Sequence, residues 1–167
     1  SYDKALSINP DYAEAFYNRG VTLQELKRID EAIANYDKAL SIKPDYAEAF
    51  YNRGLALQRL NRLDEALASW DKALSIKPGY EFLFGLFLHT KMKICDWNAL
   101  TLNAALLQQA IEAGQKVTSS FPVLGLIDDP EIQLKAAVTY ADARYPQNAQ
   151  LGQSGKPPKK NKIRIGY

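Results

Sequence analysis

The side chains best suited to chemistry in this sequence are amides and phenols that recur at a fixed spacing. Asn18 and Asn52 lie 34 positions apart, and Tyr17 and Tyr51 immediately precede them. A carboxamide carries both a donor and an acceptor, so it can pair with the backbone of an extended peptide whatever that peptide's side chains are. The repeated amides predict hydrogen-bonded recognition. The alternative is that they are solvated residues, repeated because the segment was duplicated.

Groups that could perform catalysis are scarce. His89 is the single histidine, and because spacing fixes no nucleophile or second ligand near it, we expect a packing or surface role. Cys95 is the single cysteine, which excludes an internal disulfide and fits a reducing compartment; we expect it to be a small buried residue. Trp97 is expected to anchor a helix start in the core. The sequence therefore predicts no catalytic residue, no metal ligand and no cofactor within this chain.

The overall composition is that of an ordinary water-soluble protein. The net charge of +2 is too small to indicate nucleic acid or a membrane surface, and 47% of the 167 residues are hydrophobic. The apolar run Phe82–Leu88 is far shorter than the ~20 residues of a membrane span. The basic cluster Lys156–Arg164 lacks interleaved aromatics and is interpreted as a solvated linker. We expect a cytoplasmic protein that binds neither nucleic acid nor membrane.

An internal repeat organises the first half of the chain. The blocks Ala13–Tyr46 and Ala47–Tyr80 are identical at 25 of 34 positions, and Ser1–Tyr12 matches the last third of the same block. A unit of this length cannot bury its apolar face alone, so successive copies stack into a solenoid. A chain that begins inside a repeat suggests a fragment of a longer protein.

Each block is predicted to form two helices. The first helices span about Ala13–Leu26 and Ala47–Leu60, and the second about Asp30–Ile42 and Asp64–Ile76, with prolines ending each unit. Asp30 and Asp64 are placed to cap the second helices. The small Gly20 and Gly54 are expected where helices cross closely, against Ala32 and Ala66.

The order of large and small residues resembles the tetratricopeptide repeat. This pattern is aromatic, glycine, leucine, alanine, aromatic, alanine and proline, carried by Phe16, Gly20, Leu23, Ala32, Tyr36, Ala39 and Pro44, and again by Phe50, Gly54, Leu57, Ala66, Trp70, Ala73 and Pro78. Arg19 and Arg53 depart from it, since that family usually has an aliphatic residue there. The resemblance implies an all-α fold, a right-handed α-solenoid of helix-turn-helix repeats followed by capping helices and a linker.

In that architecture the first helix of each pair lines a concave groove. Helical spacing then selects one stripe of side chains and its flanks. The candidate peptide-groove residues are Glu14, Tyr17, Asn18, Val21, Gln24, Glu25, Glu48, Tyr51, Asn52, Leu55, Gln58 and Arg59. Acidic and apolar side chains occupy the groove positions where chaperone adaptors of this fold carry lysine or arginine, so a clamp for a C-terminal carboxylate is disfavoured.

The repeat pattern ends after Tyr80. Residues 81–144 are predicted to be a degenerate repeat with capping and linking helices: one apolar helix around Phe82–Leu88, one at about Asn98–Ala113, a loop through Phe121-Pro122, and one opened by Asp129-Pro130. Residues 145–167 are predicted to be a linker leading into the first strand of a truncated catalytic domain.

The segment beyond the repeats resembles the bacterial SPINDLY-like O-linked N-acetylglucosamine transferases. The resemblance rests on KMKICDW at Lys91–Trp97, on the Phe121-Pro122 loop ending in Asp129-Pro130, and on KIRIGY at Lys162–Tyr167. It implies that the repeats are the substrate-recognition arm of a protein O-glycosyltransferase, and that the UDP-sugar donor binds only to a catalytic domain missing from this chain. The alternative is a scaffold for complex assembly with no enzymatic domain.

The expected partners are therefore proteins or peptides held in the groove. A second expectation is self-association, because removal of upstream repeats would expose Tyr2, Ala5 and Leu6 together with the apolar sides of Phe16 and Leu23.

Overall fold

A computed structural model of the protein describes residues 11–146, and this part of the chain is helical. The helices are α1 (Ala13–Glu25), α2 (Ile29–Ile42), α3 (Ala47–Arg59), α4 (Leu63–Ile76), α5 (Leu83–Lys93), α6 (Leu100–Glu112), α7 (Ser120–Leu124) and α8 (Pro130–Arg144). Helices α1 with α2, and α3 with α4, form the two repeats. Helix α2 packs on α3 and α4 packs on α5, so the units stack in chain order. The predicted all-α solenoid is confirmed.

Each repeat is held together by an aromatic ring that lies against a glycine. A Cβ atom on Gly20 would come within 2.7 Å of the Tyr36 ring, and one on Gly54 would overlap the ring of Trp70. Both rings are fully buried. The glycines were expected to face Ala32 and Ala66, but the ring sixteen residues later occupies the space instead. The missing side chain is what allows the two helices of a repeat to approach.

The turn inside each repeat uses a left-handed residue that the sequence pattern did not reveal. Lys27 has φ 61° and Asn61 has φ 58°. The amide of Lys27 donates to the Gln24 carbonyl and that of Arg28 to the Leu23 carbonyl, which is a Schellman ending of α1. This turn reverses the chain within three residues.

The ends of the repeat helices lie within one residue of the predicted positions, but the predicted caps are wrong. Helices α2 and α4 begin one residue before Asp30 and Asp64, which therefore lie in the first turn. Arg28 and Arg62 occupy the capping position without a side-chain cap bond. The predicted start of the last helix at Asp129-Pro130 is confirmed, and Asp129 caps it by accepting from the amides of Glu131 and Ile132.

The segment after the repeats folds back on the start of α5. Phe82 has φ 61°, its amide donates to the Lys116 carbonyl at 2.6 Å, and the Gly85 amide donates to Val117 at 3.0 Å. A Cβ on Gly85 would overlap Thr118, so glycine permits this close approach. A second core, which includes Leu88, Leu107, Val123 and Ile132, joins α5 to the last three helices.

Three expectations for this segment are wrong. Cys95 is exposed at a left-handed turn (φ 57°), and Trp97 is 54% exposed, because both lie in the short connection between α5 and α6, outside the two cores. The predicted loop around Phe121-Pro122 contains helix α7, which buries Pro122 and Val123. The predicted strand at Ile163–Tyr167 lies outside the described residues. Between residues 11 and 146, no helix has the length and hydropathy needed to cross a membrane.

Replacing Gly54 with Ala should destabilise the protein. Alanine is the better helix former by about 1 kcal/mol, but its methyl group would overlap Trp70, and overpacking of a core costs about 1–3 kcal/mol. We expect a lower free energy of unfolding by chemical denaturation. Gly79→Ala is the matched control, because a methyl group added there would have no atom within 4 Å. Equal stability of the two variants would contradict the packing role of Gly54.

Candidate functional site

The candidate groove is the surface of α1 and α3 that carries the twelve residues predicted from the sequence. Asn18, Glu25 and Arg59 are exposed. The other nine are partly buried, namely Glu14, Tyr17, Val21, Gln24, Glu48, Tyr51, Asn52, Leu55 and Gln58. Because most of them already contact the protein, their existing partners decide which can bind a ligand.

A hydrogen bond joins the two repeats across the candidate groove. Asn52 Nδ2 donates to the hydroxyl of Tyr17 at 2.9 Å. The carboxamide of Asn18 is exposed and makes no side-chain hydrogen bond within residues 11–146. The two asparagines therefore do not form the simple ladder of equivalent amides that the sequence suggested. Each amide is placed to meet the tyrosine of the preceding unit, and only Asn52 has such a tyrosine in the described chain.

Tyrosine pairs form the wall beside this hydrogen bond. The ring of Tyr17 lies 4.9 Å from that of Tyr46, and Tyr51 stacks on Tyr80 at 4.7 Å. Lys43 lies over Tyr46 at 4.7 Å, and Lys77 lies over Tyr80 at 5.1 Å. These contacts repeat from one unit to the next and give the candidate groove an aromatic rim with a cation on its outer edge.

Two of the three acidic residues predicted for the groove, Glu14 and Glu48, are paired with lysines of that rim, whereas Glu25 is exposed. Lys43 Nζ lies 3.5 Å from Glu14 Oε1, and Lys77 Nζ lies 3.7 Å from Glu48 Oε1. Both pairs are about half exposed, so they add little to stability but neutralise the carboxylates. The groove is therefore less acidic than its sequence suggested.

Four of the predicted residues serve the interior of the solenoid. The hydroxyl of Tyr36 donates to Gln24 at 3.1 Å, and Gln58 Nε2 lies 3.4 Å from Thr90 Oγ1. Val21 and Leu55 pack against the first core. These contacts hold the four partly buried side chains against the interior of the solenoid.

Arg19 and Arg53, which departed from the family pattern, link helices. Arg19 Nε donates to Asn35 at 2.7 Å, and Arg53 donates to Ser69 at 2.7 Å and to Asp37 at 2.6 Å. The polar residue sixteen positions after each arginine was a signal in the sequence for these contacts. They stabilise the repeats and lie outside the predicted groove.

The last helix brings further side chains to the end of the candidate groove. Phe82 follows the Tyr51–Tyr80 pair, and the ring of Tyr140 meets its edge at 5.1 Å. The guanidinium of Arg144 lies 5.3 Å from the centre of the Phe82 ring. Sequence reasoning missed both α8 residues, because no repeat pattern relates α8 to α3.

Burial changes the acidity of the groove phenols. It raises the pKa of Tyr17, an effect strengthened by the charge of Glu48 and opposed by the hydrogen bond from Asn52. Burial, with smaller effects of neighbouring tyrosines and acidic residues, raises the pKa of Tyr46 to about 12. Burial also raises the pKa of Tyr51, against the positive charge of Arg144. The phenols are therefore neutral hydrogen-bonding groups at neutral pH.

The single histidine and the potential metal ligands lie apart in the described part of the chain. His89 packs edge-on against Phe121 at 5.3 Å, and burial and Lys93 lower its pKa. Residues 11–146 bring together no cluster of three or more His, Cys, Asp and Glu that could hold a metal.

Three family models match the first half of the sequence. A model described as "TPR repeat" matches residues 25–61, and two described as "Tetratricopeptide repeat" match residues 1–34 and 47–80. Together the three tetratricopeptide matches cover residues 1–80. No model among these is of a glycosyltransferase, and the search of curated proteins found no significant match.

Solved structures share the fold of these tetratricopeptide repeats. One is YrrB, described as "a TPR protein with an unusual peptide-binding site", with 24% identity and a TM-score of 0.59 over 86% of this chain. Another is MamA, with 18% identity and a TM-score of 0.57 over 85% of this chain. The chain spans 66% of the YrrB chain and 82% of the MamA chain. At these identities the comparison establishes the α-solenoid fold.

The buried tyrosines should make stability fall at alkaline pH. The ordinary tyrosine pKa is 10.0, and in the folded chain that of Tyr46 is about 12. Between these values the unfolded chain has lost the proton and the folded chain retains it, so rising pH favours unfolding. We expect a lower urea midpoint at about pH 11 than at about pH 9, with part of the tyrosinate absorbance appearing only on unfolding. Complete ionisation at the ordinary pKa in the folded protein would contradict this.

Proposed function

We propose that this chain is a protein-interaction module that binds extended peptide segments along α1 and α3. The observation that carries the proposal is the exposed Asn18 carboxamide beside a partly buried row of neutral tyrosines. The peptide-binding site named for YrrB, which has the same fold, supports it. A protein that presents amides and phenols on a helical surface has no need of a cofactor to bind a peptide.

The contacts of the groove indicate what such a peptide would meet. Asn18 can donate to one backbone carbonyl and accept from one backbone amide, since no described residue occupies either group. The partly exposed rings of Tyr17 and Tyr46 offer apolar area together with polar hydroxyl groups, which suits peptides of varied sequence. Of the acidic side chains on this surface, Glu14 and Glu48 are neutralised by Lys43 and Lys77. Binding of moderate strength and broad sequence tolerance follows.

Asn18→Ala should weaken peptide binding without unfolding the chain. Loss of one or two hydrogen bonds predicts roughly a two- to tenfold higher Kd for peptides identified on an array of unstructured synthetic peptides. Fluorescence anisotropy would measure the Kd, and circular dichroism the helix content. Asn18 is the better test residue, because removal of Asn52 also leaves the Tyr17 hydroxyl without its donor.

Gln109→Ala is the matched control, since it removes an exposed carboxamide from α6, remote from the repeats in sequence. It should leave the Kd unchanged. Equal affinities of the Asn18 variant and the unmodified chain would contradict a role for this amide. Absence of binding to every peptide on the array would reject the proposed function itself.

A second candidate function is the substrate-recognition arm of a protein O-GlcNAc-type glycosyltransferase. The resemblance at Lys91–Trp97, at Phe121-Pro122 to Asp129-Pro130 and at Lys162–Tyr167 favours it. In this hypothesis the repeats hold the acceptor protein, and a separate domain of the same protein transfers the sugar from its UDP donor. A cytoplasmic location and a scaffold role in complex assembly are the other expectations that accompany the repeats.

The size of the native protein tests this second candidate. If this candidate holds, peptide mapping and intact mass of the protein isolated from its source should show a nucleotide-sugar-binding domain in addition to these 167 residues. A native chain that contains further repeats and no such domain would instead support the scaffold. Neither result bears on the peptide-binding proposal, which the peptide array and the Asn18 variant test separately.

A further inference from the structure

The pairing between repeats ends at Tyr51. Tyr17 receives its hydrogen bond from Asn52, 35 positions later. The position equivalent to Asn52 in the next unit is Leu86, whose side chain packs against the first core. Tyr51 therefore lacks the donor that Tyr17 has, and its hydroxyl makes no hydrogen bond within the described residues. The groove has an unfilled polar position at this end.

Helix α8 supplies a cation at the same end, since the positive charge of Arg144 and the phenol of Tyr140 both act on the phenol of Tyr51 and shift its pKa in opposite directions. Tyr80 stacks on Tyr51 at 4.7 Å, and Phe82, two residues later, holds Tyr140 at 5.1 Å and the Arg144 guanidinium at 5.3 Å. The left-handed backbone of Phe82, bonded through its amide to Lys116, fixes the ring on which both side chains rest. Because Arg144 lies across an aromatic face, its position is restricted although the residue is exposed.

Arg144 forms no ion pair with a carboxylate of the described residues. Glu48 is paired with Lys77, and Glu81 with Lys116 at 3.2 Å. Arg144 makes no ion pair or hydrogen bond with any residue that the structure describes. Its guanidinium lies over the aromatic ring of Phe82. A planar guanidinium with unused donors is suited to a carboxylate, which it can bind through two parallel hydrogen bonds.

We propose that Arg144, together with the hydroxyls of Tyr51 and Tyr140, binds a carboxylate of the peptide held in the groove. The cation of the site, Arg144, lies on α8 outside the repeats, so the site differs from a clamp whose lysines or arginines are at the groove positions of α1 and α3. It rests on the proposed peptide-binding function and gives that function a direction, since the acidic part of the peptide lies at the α8 end. The carboxylate can come from an Asp or Glu side chain or from a free C-terminus.

Selection from random peptides displayed on phage tests the site. Two libraries are used with the complete 167-residue chain, one with peptides flanked on both sides and one with peptides ending in a free C-terminus. If Arg144 binds side-chain carboxylates, we expect Asp and Glu to be enriched in the peptides selected from the flanked library. If it binds a terminal carboxylate, we expect strong binders only from the library with a free C-terminus. In both cases Arg144→Gln should raise the Kd of synthetic copies about fivefold to tenfold.

The controls separate this site from general electrostatics. Lys72→Gln removes one positive charge from the exposed side of α4 and should leave the Kd unchanged. Arg144→Lys keeps the charge but loses the paired donors, so it should recover only part of the affinity. Adding salt should reduce the difference between Arg144→Gln and the unmodified chain, because the contact is exposed.

The outcomes distinguish the two proposals. Peptides selected without acidic enrichment and without dependence on a free C-terminus, whose affinities are the same for Arg144→Gln, would overturn the carboxylate site and leave the peptide groove intact. An equal loss of affinity in Arg144→Gln and Lys72→Gln would also overturn it, because net charge alone would then explain the effect. Failure to select any peptide would overturn both.

Discussion

The contact between a glycine of the first helix and an aromatic ring of the second is the constraint on which the rest of the structure depends. Tyr36 and Trp70 are fully buried, and the space that each occupies exists only because Gly20 and Gly54 have no side chain. The ring fixes how far apart the two helices of a unit lie. That distance in turn fixes where the next unit stacks, because α2 packs on α3 and α4 on α5. The hydrogen bond between Tyr17 and Asn52 is possible only in this stacking.

The rings of Tyr36 and Trp70 occupy equivalent positions in the two repeats but have different hydrogen-bond partners. The Tyr36 hydroxyl donates to Gln24, whereas the Trp70 indole donates to the carbonyl of Tyr51 at 3.1 Å. A buried ring with a polar atom needs such a partner, and each unit provides one from its own first helix. Similarly, Arg19 uses Asn35 and Arg53 uses Ser69. The differences between the units are therefore partly coupled, since a change at one position is matched by its partner.

Much of the fold could be predicted because the two copies of the repeat show the same spacing of apolar residues. The bounds of α1 to α4 follow from the spacing of apolar residues and the prolines, and the Asp129-Pro130 signal located the start of α8. The sequence placed the candidate groove on α1 and α3. It did not show which of the groove side chains already have a hydrogen-bond partner within the protein. Helical spacing gives the face on which a residue lies; it does not give the residue's partner on another helix.

What could not be predicted lies where contacts are not periodic. Trp97 and Cys95 were expected to be buried because of their residue types, yet they fall in a turn between cores. Tyr140 and Arg144 reach the end of the groove only because residues 116–118 bond to the start of α5 and bring α8 back toward the repeats. Such long-range placement depends on the packed structure as a whole.

The spacing of the hydrogen-bonded residues differs by one from the length of the repeat, and this difference gives the surface a direction along the chain. The repeat is 34 residues long and the bonded partners are 35 apart, so each unit offers a phenol to its successor and an amide to its predecessor. A unit inserted at the boundary after Tyr46 would satisfy both neighbours and change neither end. The surface can therefore lengthen in steps of one unit during evolution or engineering, while the residues at its termini keep their own chemistry.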